Sequence, residues 1–457
     1  MKSYNLTEGS ISKALITLAL PIMGTSFVQM AYNLTDMMWV GRLGSLSVAA
    51  VGTGGFFTWF SMALIMISKI GAEVRVSQSI GRNDDILAKR YIKSSIQINL
   101  FFSIVYSLIL ILFKNQLIGF FNLGNEEVIT KATDYLSIIG IGMVFSFINP
   151  VFTAIWNGYG NSKVPFRVNA LGLIANMILD PLLILGFGFI PALGVKGAAI
   201  ATVFSQLVVF SVFLVYAIKT PKLFSSLRLF TNIDWEKIKD VYFLGLPAAL
   251  QSGMFTVFAM FIARIVAVWG PVPVAVQRVG SQIEAISWMT AGGFSTAISA
   301  FTGQNYGAGK WDRIYKGYFT GLFLVSLVGI FATLLLIFAG GPIFSIFLSE
   351  KEALGIGVAY LKILGYSQLF MCIEILTSGA FNGLGRTVPP SVIGIIFNAL
   401  RIPAAIFLSS ATSLGLDGVW WSISISSVFK GIILTTWFIG LLTRYKKKTG
   451  TVIPNLI

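Results

Sequence analysis

Residues 195–218 read VKGAAIATVFSQLVVFSVFLVYAI, an apolar stretch with Lys196 as its one charged residue. A helix needs about 20 residues to cross a hydrocarbon layer about 30 Å thick. Similar runs recur along the 457-residue chain, of which 56% is hydrophobic and 11% is Asp, Glu, Lys or Arg. Soluble proteins carry about 25% charged residues. The sequence therefore predicts a polytopic membrane protein and excludes a soluble enzyme, a disulfide scaffold and a nucleic-acid binder.

The apolar runs predict an all-α integral membrane protein with twelve transmembrane helices. Continuous apolar runs favour helices, because a barrel strand alternates over about ten residues. The predicted spans are 14–40, 46–78, 91–113, 130–156, 166–190, 195–218, 241–268, 274–302, 316–339, 354–380, 389–411 and 418–443.

The distribution of Lys and Arg predicts the orientation of the spans. Basic residues concentrate in alternate loops, among them 82–93, 219–239 and 444–448. Cytoplasmic loops carry this excess of positive charge. We therefore expect a multi-pass protein of the cell membrane of a prokaryote, with both termini cytoplasmic and the lipid bilayer as its surroundings. The net charge of +15 follows from the same bias and requires no nucleic-acid partner.

Three motifs recur in the same order in the two halves of the chain, at a nearly constant offset. The pairs are LALP (Leu18–Pro21) with LGLP (Leu244–Pro247), SQSIGRND (Ser77–Asp84) with TGQNYGAGK (Thr302–Lys310), and NGYGNSKVP (Asn157–Pro165) with NGLGRTVPP (Asn382–Pro390). This order indicates a duplicated six-helix unit. Because six is even, both halves enter from the same side, which predicts a pseudo-two-fold axis along the membrane normal.

The duplication predicts a domain organisation. We expect an amino-terminal six-helix lobe over 1–220, a cytoplasmic linker over 221–240 and a carboxyl-terminal six-helix lobe over 241–457. Two such lobes would enclose a central cleft and rock against each other, although duplicated helices could also form a static pore.

Asp36 and Asp180 lie deep within predicted spans, where ionisable groups are costly and are candidates for function. Asp36 follows Tyr32 and Asn33 by four and three residues, so the three share a helix face. In span five, Asn176 and Asp180 are four apart and Pro181 follows, which frees a backbone carbonyl. A structural hydrogen-bonding role is the alternative for each.

These oxygen groups suit a hard cation such as sodium. The predicted cation site consists of Asp36, Asn176 and Asp180, with the hydroxyl of Thr202 in span six completing it. For Thr202 the alternative is a hydroxyl bonded to its own helix. A proton could neutralise the same carboxylates, so the residues leave sodium and proton coupling open, and no other cofactor is expected.

The motifs together resemble the multidrug and toxic compound extrusion (MATE) transporters. The resemblance rests on LP in the first span, NLTDMMWVGRLG (Asn33–Gly44), the loop sequences SIGRND and GQNYGAGK, and the NGxG turns after spans four and ten. It implies a V-shaped twelve-helix fold and alternating-access export of amphipathic, often cationic, organic compounds, driven by entry of sodium ions or protons.

The resemblance also implies roles for individual residues. Asp36 matches the first-span aspartate of these transporters. Asn176, Asp180 and Thr202 match the amino-lobe cation site of the archaeal and DNA-damage-inducible (DinF-like) branch. The other large branch carries an acidic residue in span seven, and the stretch PAALQSGMFTVFAMF contains none.

The second half contains the remaining candidates. Neither aspartate is duplicated there, so the cation site is expected in the first lobe alone. Glu284 and Glu374 are expected to pair with Arg264, Arg278 or Arg401, with Glu284 as an alternative substrate-attracting carboxylate. Candidate cleft residues, for which packing or lipid contact is the alternative, are Tyr32, Asn33, Met254, Phe258, Gln277, Glu284 and Trp288, and Pro21 is the predicted hinge.

Two other functions were compared with the antiporter. A lipid-linked oligosaccharide flippase would share the duplicated helices but is expected to have a more cationic cleft. A membrane-embedded transferase would need an Asp-rich metal motif or a catalytic His, whereas the chain has no His and its adjacent aspartates, Asp84 and Asp85, lie in a loop. We therefore expect a non-enzymatic, monomeric transporter whose partners are small organic substrates.

Overall fold

The computed structural model of this protein describes residues 5–188, 191–225, 229, 233–347 and 350–448, with side chains to residue 445. Both chain ends, which the sequence predicts to be cytoplasmic, and part of the predicted linker lie outside these ranges. The described residues form sixteen α-helices and no β-strand.

The helices cover nearly all of the described chain. They are α1 (Ile11–Gly41), α2 (Ser45–Gly81), α3 (Asp85–Leu112), α4 (Lys114–Gly119), α5 (Glu126–Gly158), α6 (Lys163–Ile184), α7 (Val195–Ile218), α8 (Pro221–Phe224), α9 (Trp235–Val266), α10 (Pro271–Gly307), α11 (Trp311–Phe338), α12 (Gly340–Ser345), α13 (Lys351–Gly365), α14 (Gln368–Gly383), α15 (Val388–Ser410) and α16 (Leu416–Lys448). A 3₁₀ turn, Ala267–Trp269, joins α9 to the loop before α10.

The apolar helices confirm the predicted all-α membrane fold. Within the described residues, ten helices are long and apolar enough to cross a membrane, and α13 with α14 forms an eleventh span bent by 49°. The remaining predicted span, 274–302, corresponds to α10, a 37-residue helix that contains Gln277, Arg278 and Glu284. The predicted span 354–380 corresponds to two helices, α13 and α14, that meet at this bend.

The helix boundaries repeat with the offset seen in the sequence. The difference in residue number between Pro21 and Pro247, added to the bounds of α2, α3 and α4, gives the bounds of α10, α11 and α12. The shift that carries Asn157 to Asn382 likewise carries the start of α5 to the start of α13 and its end to the end of α14. The duplication therefore extends to short helices that the apolar pattern alone does not predict.

The described chain divides into two compact units. One comprises Leu20–Ala249, and the other comprises Asn5–Ala19 together with the chain from Leu250 onward. The first residues of α1 thus belong to the second unit, and the first residues of α9 belong to the first unit. Each unit has its own apolar core, with Trp156, Phe152 and Phe213 fully or almost fully buried in one and Trp420 and Tyr360 in the other.

Polar contacts fix the segment Asn5–Ala19 within the second unit. The side chain of Arg313 on α11 donates to the backbone carbonyls of Leu6, Glu8 and Gly9. The amide of Asn305 also donates to the Leu6 carbonyl at 3.0 Å. Because these donors lie in and just after the TGQNYGAGK motif, that motif has a structural role in holding the start of the chain.

Candidate cation site

The predicted cation-site residues lie on three helices of the first unit. Asp36 is on α1, Asn176 and Asp180 are one turn apart on α6, and Thr202 is on α7. Helix α6 continues through Pro181, and Asn176 and Asp180 are completely buried. Their four-residue spacing places both side chains on one helix face.

The two aspartates and their neighbours form one electrostatically coupled group. The amide of Asn176 donates to one carboxylate oxygen of Asp180 at 3.0 Å. The Asp36 carboxylate lies close enough to interact with Asp180, and both interact with Tyr32. The hydroxyls of Thr202 and Ser205 lie near the Tyr32 hydroxyl. The structure therefore brings together all four predicted cation-site residues and Tyr32.

Several oxygens in this group are buried without a hydrogen-bond partner among the described residues. They are Tyr32 Oη, Asp36 Oδ1, Asn176 Oδ1, Asp180 Oδ2 and Ser205 Oγ. Unsatisfied buried oxygens are costly and call for an explanation such as a bound ion. In the described chain, no Lys or Arg pairs with either aspartate.

The donor set fits a small monovalent cation or protons. Two carboxylates with neutral amide and hydroxyl oxygens provide hard ligands. The described chain contains no cluster of three His, Cys, Asp or Glu side chains that would favour a transition metal. Ser205 was not predicted from the sequence, although its position three residues after Thr202 places it on the same face of α7.

The other candidate residues are more dispersed. Asn33 is exposed rather than buried beside Asp36. Pro21 lies within the unbroken helix α1, and its carbonyl accepts from the Thr25 hydroxyl at 3.0 Å. In the second unit, the carbonyl oxygen of the Gln277 side chain accepts from the Trp420 indole at 3.3 Å.

Three apolar candidates differ in exposure. Met254 and Trp288 are exposed, whereas Phe258 is half-buried. Exposed apolar side chains of a membrane helix serve lipid contact as well as ligand binding, so these residues stay candidates.

The predicted ion-pair partner of Glu374 is wrong. Glu374 on α14 pairs with Lys430 on α16 at 2.9 Å, and both are almost completely buried. Arg401 instead donates to the hydroxyls of Ser426 and Ser427, at 2.6 and 3.1 Å. Lys430 lies within an apolar run, and the sequence gives no indication of which carboxylate it contacts.

Glu284 has neutral partners. Tyr360 and Gln368 lie within hydrogen-bonding reach of its carboxylate, and Arg401 interacts with it electrostatically. Glu284 forms no ion pair within the described chain, and its Oε1 atom is buried without a partner. The second unit therefore contains a polar cluster, formed by Glu284, Glu374, Arg401 and Lys430, whose two cations distinguish it from the group around Asp36 and Asp180.

A duplicated helical fold with a fully buried Asp180 and a partly buried Asp36 is typical of a polytopic membrane transporter. Residues 21–182 and 247–407 each match the MatE family, and the two matches begin at the paired prolines of the repeated LALP and LGLP motifs. The chain therefore belongs to the MatE family. This result confirms the family predicted from the motifs, and with it the prediction of a transporter rather than an enzyme; the DinF-like branch stays a prediction.

Similar proteins match over most of their length. A probable multidrug resistance protein NorM of Thermotoga maritima is 28% identical, with 94% of this chain and 92% of that protein covered. A probable multidrug resistance protein YoeA of Bacillus subtilis is 29% identical, covering 91% and 90%. An FAD transporter of Shewanella oneidensis is 25% identical, covering 94% of each.

Solved structures share the fold. A crystal structure of MATE in complex with MaL6 has a TM-score of 0.90 at 24% identity, covering 98% of this chain and 100% of that one. An outward-facing multidrug resistance MATE family transporter has a TM-score of 0.86 at 24% identity, covering 97% and 99%.

Proposed function

We propose that this protein is a cation-coupled antiporter that exports amphipathic, often cationic, organic compounds from a prokaryotic cell by alternating access. The observation that carries this proposal is the coupled group of Asp36 and Asp180, whose buried oxygens lack both a cationic side chain and a full set of hydrogen bonds among the described residues. The multidrug resistance names of similar proteins support the substrate class.

The coupling ion would bind where negative charge is least compensated. A sodium ion or proton reaching Asp36 and Asp180 neutralises charge that the surrounding apolar helices cannot stabilise. The Asn176 amide already donates to Asp180, so it orients this carboxylate and leaves its second oxygen for the ion. The hydroxyl groups near Tyr32 offer further oxygen ligands.

Ion binding would be transmitted to substrate through α1. Asp36 and the predicted hinge Pro21 lie on the same helix. When Asp36 is neutralised, its charge no longer holds the distal part of α1 in position. A bend near Pro21 would follow, because proline lacks the donor that stabilises a helix turn. Movement of α1 would then displace bound substrate.

The membrane potential sets the scale of the coupling. One positive charge moving inward at 100 mV releases about 2.3 kcal/mol. Since about 1.4 kcal/mol corresponds to a tenfold concentration ratio, one-to-one exchange with a neutral substrate supports a gradient of about 40-fold. A chemical gradient of the ion adds to this value.

Uptake of a lipophilic cationic dye into everted vesicles tests the proposal, with sodium and pH gradients imposed separately. We expect one of the two gradients to drive uptake by the wild type. Asp134→Asn is a matched control, because Asp134 belongs to the same unit but pairs with Lys196 at 3.1 Å. Dye uptake that neither gradient drives would reject cation coupling.

The same vesicles address substrate class. Because one similar protein is named an FAD transporter, FAD is tested as a substrate beside the dye. A lipid-linked oligosaccharide is tested in the same way. Gradient-driven transport of either compound without transport of the dye would reject the proposed substrate class while leaving coupling intact.

A further inference from the structure

The polar cluster of the second unit includes the repeat counterparts of the candidate cation-site residues. The difference in residue number between Asn157 and Asn382, added to the starts of α5 and α6, gives the starts of α13 and α15. Applied to the neutral residues Asn176, Thr202 and Ser205, the same difference gives Arg401, Ser427 and Lys430. The two groups therefore correspond in the internal repeat, although their charges differ.

The second unit has cations where the first unit has neutral oxygens. Lys430 on α16 replaces the hydroxyl of Ser205 on α7, and Arg401 adds a second cation on α15. The counterpart of Asp180 is Ala405, so the carboxylate of the first group is missing from this position. The second unit therefore cannot form a cation site of the same kind from the same positions.

A carboxylate on another helix compensates for these cations. Glu374 on α14 is the counterpart of Asn149 on α5. The amide of Asn149 donates to the side-chain oxygen of Gln206 on α7 at 2.8 Å, whereas Oε1 of Glu374 lies 2.9 Å from Nζ of Lys430 on α16. The same pair of helices is thus joined in both units, by a neutral hydrogen bond in the first and by an ion pair in the second.

The ion pair is enclosed by protein. Glu374 and Lys430 are almost completely buried, and Oε2 of Glu374 has no hydrogen-bond partner within the described chain. Arg401 interacts electrostatically with both residues, but it donates its hydrogen bonds to Ser426 and Ser427. Among the described residues, the ammonium of Lys430 is therefore the cation in direct contact with Glu374.

We propose that Glu374 forms a monovalent-cation site that the ammonium group of Lys430 occupies permanently. This ammonium is a compact positive charge on a flexible stem, so it resembles a small monovalent ion that cannot dissociate. The second unit would then add no ion to a transport cycle. The comparison with a mobile coupling ion in the first unit rests on the proposed function, whereas the occupation of the site by Lys430 does not.

Truncation of the lysine tests the proposal in the full-length protein in detergent. Lys430→Ser gives this position the residue type of its counterpart Ser205, so a free cation should take the place of the ammonium at Glu374. Cys372 is completely buried two residues before Glu374 on α14. Its rate of labelling by a thiol-reactive fluorophore reports opening of this part of the protein.

Labelling is measured in the chloride salts of sodium, ammonium and choline at equal concentration. Choline maintains the ionic strength, but its quaternary nitrogen has no N–H to donate. We expect sodium or ammonium, relative to choline, to slow the labelling of Lys430→Ser. A cation that binds only the closed form slows labelling by the factor 1 + [cation]/Kd, which is about tenfold at a concentration about ten times Kd.

Three proteins serve as controls. The wild type and Lys430→Arg keep a tethered cation beside Glu374, so they should label at rates that do not depend on the salt. Lys362→Ser makes the same change as Lys430→Ser, but at an exposed lysine on α13 of the same unit, and should also show no dependence on the salt.

Three results would overturn the proposal. Equal labelling of Lys430→Ser in all three salts, or no folded Lys430→Ser in any of them, would show that a free cation cannot replace the ammonium. Slowing of the same size in the wild type or in Lys362→Ser would show a general effect of the ion. None of these measurements involves transport, so they decide this proposal separately from the proposed antiport.

Discussion

The buried pair of Glu374 and Lys430 leads to a prediction about stability that is independent of transport. These side chains are 7% and 6% exposed, and their charged atoms lie 2.9 Å apart. Removing one partner of such a pair leaves an uncompensated buried charge and costs about 3–5 kcal/mol. The two single substitutions should nevertheless differ, because Arg401 also interacts with Glu374 and repels Lys430.

Glu374→Gln is expected to be the more damaging change. It leaves Lys430 and Arg401 as neighbouring cations, whereas Lys430→Met leaves Glu374 with the charge of Arg401 nearby. We expect a loss of about 5 kcal/mol for Glu374→Gln and about 3 kcal/mol for Lys430→Met. The double variant should recover much of the loss, because a buried ion pair can be replaced by neutral residues at little cost.

Cys372 provides the assay. It is the one cysteine of the chain, is completely buried, and lies two residues before Glu374 on α14. A thiol-reactive fluorophore labels it only when this part of the protein opens, so the labelling rate follows the opening equilibrium. Losses of about 3–5 kcal/mol correspond to rates faster by about 10²- to 4 × 10³-fold.

The control is Glu352→Gln, an exposed residue in the first turn of α13, which should label at the wild-type rate. Faster labelling of Lys430→Met than of Glu374→Gln would refute the role given to Arg401. Labelling of Glu374→Gln at the wild-type rate would refute the buried ion pair itself.

Two further predictions concern the first unit. Partial burial opposes the ionisation of Asp234, but the hydrogen bond from Arg90 lowers its pKa. The stabilisation is present above the ordinary aspartate pKa of about 3.9 and is lost as pH falls through the lower folded value. Asp234→Asn should therefore destabilise the protein by at most about 1 kcal/mol at pH 7, and this effect should shrink as the pH falls below about 3.9. Thermal unfolding over a pH series measures it, and an effect that does not change with pH would contradict it. An added Cβ at Gly245 would clash with the backbone carbonyl oxygen of Ile67, so Gly245→Ala should cost about 1–3 kcal/mol in the same assay. The control Gly292→Ala meets no atom within 4 Å, and an equal loss there would show that helix packing is not the cause.

Much of the fold could be predicted because crossing a membrane imposes a strong constraint on sequence. Long apolar runs mark helices whatever their neighbours, and the repeated motifs showed the duplication that the helix bounds confirm. The bend between α13 and α14 escaped prediction because residues 354–380 form one mainly apolar run, in which isolated polar residues such as Lys362 and Gln368 do not mark a helix end. Short helices such as α4 and α12 are below the length that an apolar pattern can reveal.

The candidate cation site was more predictable than the polar cluster of the second unit. Asn176 and Asp180 are neighbours on one helix, so their spacing alone places them together. The pairing of Glu374 with Lys430 depends on how α14 packs against α16. That contact cannot be predicted from the residues that neighbour either one in sequence. For the same reason Asn33, although three residues from Asp36, is exposed rather than part of the group.

In the proposed mechanism, Asp36 and Asp180 bind one shared coupling ion. Gradient-driven dye transport in proteoliposomes, measured for Asp36→Asn, Asp180→Asn and the double variant, tests whether one ion needs both carboxylates. If one ion needs both carboxylates, each single change abolishes the gradient-driven component and the double change is no worse, because residues that act as a unit are not additive. Gradient-driven transport at the wild-type rate by either single variant would contradict the shared site. Partial losses in the single variants that multiply in the double variant would also contradict it.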